Sequence, residues 1–254
     1  MFTVGWRELT MNKPSGKSII ILIVGIILAF SSYFVANVDI GGYSAVSVVF
    51  IISMALPSFI SVIRDLRGRG VILILVLGAY AILIETVAIV TGFPYSEFHY
   101  SGLIGLKILG HTPFTVPFAW LPLFLGSAYL AKESVAGKLK FLGLSTLLVV
   151  LTDVVIDPAA VALNFWIWSN PGIFYGVPLQ NFAGWVLSGF IASLILLVVL
   201  GDSVKEMKSG TISSLYLIMC FWTAACLFLG LEIPFITGLI LLALILIKTK
   251  ANLW

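Results

Sequence analysis

The sequence is short of charge: Asp, Glu, Lys and Arg make up only 10% of its 254 residues, whereas hydrophobic residues make up 61%. An ordinary soluble domain is about a quarter charged. The composition therefore excludes a soluble globular protein and indicates a polytopic membrane protein. The formal net charge of +3 comes from basic residues scattered among short loops, which does not favour nucleic acid as a partner.

Cysteine and histidine are also scarce, with two of each. Cys220 and Cys226 lie in one apolar stretch and fit neither a disulfide framework nor a zinc knuckle. His99 and His111 lie in or beside a connection dense in aromatic and polar groups. We therefore expect no metal site built from these side chains.

Eight apolar stretches are each close to the 20 or so residues that span a bilayer as a helix. They cover roughly 18–38, 43–63, 71–91, 112–131, 139–162, 179–200, 212–231 and 233–248. Because they use most of the chain, we expect an all-α protein with a single transmembrane domain over residues 1–254. The first stretch has no small-residue cleavage site, so we interpret it as a retained helix and not as a signal peptide.

The basic residues predict the orientation, because cytoplasmic loops of membrane proteins are enriched in Lys and Arg. Thirteen of the fourteen fall at alternate ends of the apolar stretches: Arg7, Lys13, Lys17, Arg64, Arg67, Arg69, Lys132, Lys138, Lys140, Lys205, Lys208, Lys248 and Lys250. Only Lys107 falls on the other side. We therefore expect eight transmembrane helices in the cell membrane, with both termini cytoplasmic.

Three carboxyl groups lie inside the apolar stretches, within an expected functional core at about 70–190. Asp153 and Asp157 are four residues apart, so on a helix they share one face with Cβ atoms about 6 Å apart. Counting about 1.5 Å per residue puts Glu85 at a similar depth in the outer half of the membrane. An acid in hydrocarbon is costly and usually faces a cavity, so the three can converge on a site. The alternative is a chemically silent pair that only packs helices together.

Two connections on the outer side are rich in aromatic and polar groups. Trp120, Trp166, Trp168, Tyr175 and Trp185 are candidates to stabilise a cation and line the substrate site, although interfacial anchoring also explains single tryptophans. His99, Tyr100, Asn164 and Asn181 are candidates to position a water molecule. A close pair of buried carboxyl groups can share one proton. An acid among aromatic rings suits protonation of an alkene and transient stabilisation of a carbocation.

Several motifs in this core resemble the membrane-integral carotenoid 1,2-hydratases. This family includes archaeal hydratases of bacterioruberin synthesis and bacterial hydratases acting on the acyclic end of carotenoids. The motifs are Glu85 with Thr-Gly-Phe-Pro-Tyr-Ser-Glu-Phe-His-Tyr100, Leu-Gly-His-Thr-Pro-Phe-Thr-Val-Pro-Phe-Ala-Trp120, Asp153-Val-Val-Ile-Asp-Pro158, Phe-Trp-Ile-Trp168 and Tyr-Gly-Val-Pro-Leu-Gln-Asn-Phe-Ala-Gly-Trp185. The resemblance implies cofactor-free addition of water across the terminal double bond of a lipid-soluble carotenoid, giving a tertiary alcohol.

On this reading, Asp153 or Asp157 supplies the proton, and Glu85 relays a proton or activates water. Three other functions are open. A prenyltransferase could bind magnesium and a diphosphate at Asp-x-x-x-Asp, but Lys107 is the only cation on the outer side. A proton-coupled transporter would also need intramembrane acids. A carotenoid cyclase or carotenoid-binding protein is closer, because cyclisation starts with the same protonation.

Overall fold

The computed structural model describes residues 13–38 and 44–254, so Arg7 lies outside the described residues. Most of the described chain is helical. The eight helices are α1 (Gly16–Asn37), α2 (Ser44–Leu66), α3 (Gly68–Thr91), α4 (Val116–Ser134), α5 (Lys138–Ala162), α6 (Leu179–Leu200), α7 (Ser213–Phe228) and α8 (Glu232–Thr249). The described residues also form four short strands: β1 (Phe98–Tyr100), β2 (Lys107–Ile108), β3 (Thr112–Pro113) and β4 (Trp166–Trp168).

Seven of the described helices are long and apolar enough to cross a membrane, which confirms the prediction of a helical, multi-pass protein. Helix α4 is the exception. It contains Pro117, Pro122, Lys132 and Glu133 within 19 residues, and it lies at the centre of the bundle, in contact with α2, α3, α5 and α7. Because other helices cover most of its side chains, its sequence has less need to be apolar on every side.

The connections α3–α4 and α5–α6 meet at one end of the bundle, which we call the capped end. Strand β1 pairs with β4 in an antiparallel sheet, with Phe98 opposite Trp168 and Tyr100 opposite Trp166. The turn before α8 lies at the same end, because the Ile233 N–H donates a hydrogen bond to the Tyr175 hydroxyl (3.4 Å). The two loops that carry the aromatic motifs are thereby joined above the helices.

The opposite end gathers the C-terminal segment, the start of α1 and the α2–α3 connection. The Ser18 hydroxyl donates to Asn252 Oδ1 (2.9 Å), and the Lys17 and Arg64 side chains lie over the Trp254 ring. Lys132 donates to the Met207 carbonyl (2.7 Å), which ties in the end of α4 and the α6–α7 connection. The predicted basic clusters therefore share one end of the bundle wherever the structure describes them.

Helix ends follow the predicted stretches to within a few residues, with a larger offset at the start of α4. The prediction put this start at residue 112, whereas the helix begins at Val116. Thr112 and Pro113 instead pair with Lys107 and Ile108 as strands β3 and β2. Pro117 then falls in the first turn of α4, where a missing backbone N–H is tolerated because that turn has no intrahelical partner for it.

Candidate active site

A cavity of about 320 Å³ lies within the helix bundle, and residues of the β1–β4 sheet contribute to its wall near the capped end. Helices α3, α4, α5 and α6 contribute to its walls, and so do α1, α2 and α7. These last three helices lie outside the expected functional core at about 70–190. Being apolar along most of their length, they give no sequence signal for the face that turns inward.

The three intramembrane carboxyl groups converge on this cavity. Glu85 lies six residues before Thr91, the last residue of α3, and Asp157 lies five residues before Ala162, the last residue of α5. Glu85 is 6% exposed, and Asp153 and Asp157 are each 2% exposed. The similar depth of Glu85 and Asp157 follows from their similar distances to the helix ends, at a rise of about 1.5 Å per residue.

Asn181 connects the two aspartates. It lies in the first turn of α6, and its Nδ2 donates to Asp153 Oδ2 (2.8 Å) and to Asp157 Oδ2 (2.5 Å). One buried amide therefore holds both carboxyl groups and fixes their separation. This contact goes beyond the prediction for Asn181, which concerned a water molecule at the mouth of the cavity.

Tyr100 holds the third carboxyl group. Its hydroxyl donates to Glu85 Oε2 (2.8 Å), and both side chains are buried. Burial raises the pKa of Tyr100 well above its ordinary value, so the hydroxyl stays protonated and remains a donor. Lys107 donates to the Tyr100 carbonyl (2.6 Å), which anchors strand β1 above Glu85.

Trp166 holds Asp157 as Tyr100 holds Glu85, because its Nε1 donates a hydrogen bond to Asp157 Oδ1. Trp166 lies directly opposite Tyr100 in the β1–β4 pair. A single two-stranded sheet thus delivers one donor to Glu85 and another to Asp157.

Aromatic rings form much of the remaining wall. Trp120 stacks on Phe124 and on Trp185, with ring centroids 5.6 and 6.0 Å apart. Tyr95 packs against Trp185 at 6.3 Å. Trp168 packs on Phe98 at 5.0 Å, below strand β1. Such faces can stabilise a cation by roughly 0.5–2 kcal/mol each when water is excluded.

Two of these indole groups carry an N–H without a hydrogen-bond partner among the described residues. They are Trp120 Nε1 and Trp168 Nε1, and both atoms are buried. Buried donors are nearly always paired in folded proteins. Both residues line the cavity, but their Nε1 atoms expose almost no surface, so other parts of the two indoles form the wall.

Sequence reasoning missed Tyr95 and Phe98, which both line the cavity. Tyr95 reaches it because Gly184 of α6 lets the chain approach: a Cβ at Gly184 would lie 2.5 Å from the Tyr95 ring and 2.8 Å from the Pro94 carbonyl oxygen. In the Phe-Ala-Gly-Trp185 motif, the glycine before the tryptophan is the sequence signal for this close contact.

Three predicted residues lie outside the cavity lining: His99, Asn164 and Tyr175. His99 lies between Phe98 and Tyr100 in β1, and side chains alternate along a strand, so it faces away and is exposed. Asn164 ends α5 with a φ of +56°, a left-handed conformation that Asn tolerates, and it is exposed. The Tyr175 hydroxyl is engaged by Ile233 instead.

Charge limits what the site can bind. No Lys, Arg or His is found among the residues that line the cavity in the described ranges. A diphosphate would therefore enter beside three carboxyl groups without a cationic partner, which disfavours a prenyltransferase. The arrangement defines a membrane-embedded site in which buried acids face an uncharged, aromatic chamber, suited to acid chemistry on an apolar alkene.

Comparison with known proteins identifies the family. The family model for carotenoid biosynthesis proteins matches residues 42–245, and the chain belongs to this family. It is similar to bisanhydrobacterioruberin hydratase of Haloarcula japonica, with 40% identity over 173 residues, covering 66% of this chain and 54% of the relative. The chain thus spans about half the length of that relative. No solved structure matches the chain. The resemblance inferred from the motifs is confirmed at the level of the family.

Proposed function

We propose that the protein is a hydratase that adds water across the terminal 1,2 double bond of an acyclic carotenoid end group by acid catalysis, without a cofactor. The observation that carries the proposal is the pair of buried carboxyl groups held by Asn181 at the wall of an uncharged aromatic cavity. The name of the 40% identical relative, a hydratase, supports the same reaction class.

The proton donor is assigned to Asp153. Both oxygens of Asp157 accept hydrogen bonds, one from Trp166 and one from Asn181. Asp153 accepts only through Oδ2 among the hydrogen bonds of the described residues, which leaves Oδ1 able to present a proton. Asp157, fixed from two sides, holds Asn181 and thereby orients Asp153.

The reaction then has two steps. Transfer of the Asp153 proton to C2 of the alkene forms a C–H bond from the π electrons and leaves a tertiary cation at C1. Trp120 and Trp185, stacked on each other, are suited to stabilise that cation. A water oxygen bonds to C1 and gives up a proton to Glu85, so the three carboxyl groups together donate one proton and receive one.

A cyclase would begin with the same protonation and would need water kept out. The name of the 40% identical relative, a hydratase, favours hydration over cyclisation.

The orientation in the membrane follows from the ends of the bundle. Helix α4, with 19 residues, is about 28 Å long and suffices as the eighth span of a hydrocarbon core of about 30 Å. The end with the basic clusters is assigned to the cytoplasm by the positive-inside rule. Both termini are then cytoplasmic, and the capped end faces outward in a multi-pass protein of the cell membrane.

Expression in cells that make lycopene tests the function. The expected products are heavier than lycopene by one water for each modified end, detected by mass spectrometry of extracted pigments. An Asp153→Asn variant that reaches the membrane in equal amount is the control and should leave lycopene unmodified. Cyclic products of unchanged mass would identify a cyclase, and unchanged lycopene with the wild-type protein would contradict the proposal for this substrate.

A further inference from the structure

The cavity has two ends of different chemistry. One end holds the three carboxyl groups and Asn181. The other end is formed by α1, α2 and α7, and its wall includes Val35, Val46, Phe50, Met54 and Phe221. These five side chains carry no charge and no hydrogen-bonding group. The same helices add the hydroxyl groups of Ser31, which donates to the Leu28 carbonyl, and Ser47, so this end is uncharged and mostly apolar.

An aromatic row crosses α7 at Phe221 and Trp222 and links the two ends. Phe50 on α2 packs against Phe221 on α7, with ring centroids 5.0 Å apart. Phe221 contacts Trp222 at 5.3 Å, and Trp222 contacts Phe165 at 5.8 Å. Phe165 directly precedes Trp166, the donor to Asp157. The apolar end is therefore continuous with the acid site and is not a separate pocket.

We infer that this apolar end, between α1, α2 and α7, binds the hydrocarbon tail of the substrate while the end group lies at the acids; the inference rests on the proposed function for the identity of that substrate. A volume of about 320 Å³ is at the lower end of the range for small-molecule pockets, about 300–1,000 Å³. It accommodates an end group and leaves a long polyene to continue outward. An uncharged wall suits such a chain, because burial of its apolar surface is favourable and needs no polar partner.

This arrangement explains how a site of modest size can select a long molecule. The acids recognise only the alkene end group, which short isoprenoids share. The tail end adds apolar contact that only a long chain can reach, so affinity rises with chain length. The far end of the substrate stays outside the cavity, and a symmetric carotenoid can therefore present either end.

Two valines on α2 provide a matched pair for the test. Val46 lines the cavity and is 63% exposed, so it lies at the margin of the apolar end. Val49 is 64% exposed on the same helix and is absent from the cavity lining. Replacing either by Trp adds the same bulk at the same exposure, and only Val46→Trp narrows the tail site.

The measurement is binding of lycopene to purified protein in detergent, followed by the change in its visible absorption band. For Val46→Trp we expect a dissociation constant raised at least tenfold, roughly the loss of two buried methylenes. For Val49→Trp we expect a change below about twofold. A short acyclic isoprenoid with the same end group serves as competitor. Its own dissociation constant should be the same in the wild-type protein and in both variants.

Three results would overturn the inference. They are equal weakening of lycopene binding in both variants, unchanged lycopene binding in Val46→Trp, and a loss of affinity for the short competitor in Val46→Trp as large as that for lycopene. If Val46→Trp fails to give a monodisperse protein with wild-type melting, the smaller Val46→Phe takes its place and is judged by the same criteria. The binding assay needs no turnover. A wild-type protein that binds lycopene in this way and adds no water would refute the hydratase and leave the tail site standing.

Discussion

Asn181 is the residue on which the geometry of the acid pair depends most directly. Its amide donates to both aspartates, at 2.8 and 2.5 Å, and it is 2% exposed. Asn181→Leu keeps a side chain of similar size and removes both donors. Leaving a buried polar group without its partner costs about 1–3 kcal/mol, so two lost bonds cost about 2–6 kcal/mol. If 2 kcal/mol of that falls on the transition state, turnover drops roughly 30-fold.

The assay is conversion of lycopene by membranes containing equal amounts of each protein, with thermal melting measured in detergent. Gln180→Leu is the control: Gln180 is exposed, lies outside the cavity lining and donates only to the Gly92 carbonyl (3.2 Å). It should retain turnover within about twofold. Wild-type turnover and melting in Asn181→Leu would refute the idea that this amide organises the acids. A lower melting temperature with wild-type turnover would mean that Asn181 contributes only to packing.

Three further predictions concern the acids, the indole donor and the topology. Asp153→Asn should lower turnover at least ~100-fold, as loss of a general acid does; Asp157→Asn should lower it less, because Asp157 only orients Asp153 through Asn181, and full activity in both would favour the silent packing pair. Trp166→Phe keeps an aromatic ring and loses the bond to Asp157, so a fall in turnover of roughly tenfold at unchanged membrane yield is expected; an unchanged rate would mean that Trp166 is only an interfacial anchor. In a protein without its two native cysteines, Gly68→Cys should react with impermeant reagents only from the cytoplasm and Ile173→Cys only from outside, and the reverse pattern would invert the topology.

The helices were predictable because each long apolar stretch has few ways to satisfy its backbone other than as a spanning helix. The convergence of Glu85 with Asp153 and Asp157 was predictable for a related reason. Similar counts of residues to the helix ends at the capped end place side chains at similar depth. The start of α4 was not predictable in this way, because Thr112 is drawn into a strand pair with Ile108.

The outer connections were harder, because their structure depends on contacts between segments distant in sequence. Strand β1 pairs with β4 about 68 residues along the chain, and no local pattern of three residues announces such a partner. If residues 98–100 are taken as a strand, side chains alternate between its two faces, so His99 points away from the face that carries Tyr100. Asn164 could likewise have been recognised as a helix terminator, because it follows the last turn of α5.

The inward faces of α1, α2 and α7 could not be predicted from the sequence. A helix that is apolar all round carries no stripe to mark its buried side. Phe50 and Leu56 on α2 are both large and apolar, yet only Phe50 lines the cavity. The tail site therefore emerges only from the packing, whereas the acid site is marked by polar residues that the membrane would otherwise exclude.

The central claim is that a protein carboxyl group protonates C2 and a water molecule captures the cation at C1. The most direct measurement is conversion of lycopene by the purified protein in water labelled with deuterium and oxygen-18, without added metal, oxygen or nicotinamide. The account predicts one deuterium at C2 and one oxygen-18 at C1 for each modified end, in the wild-type protein and not in Asp153→Asn. Oxygen derived from dioxygen, or a product that carries solvent deuterium and a new ring but no oxygen, would contradict it.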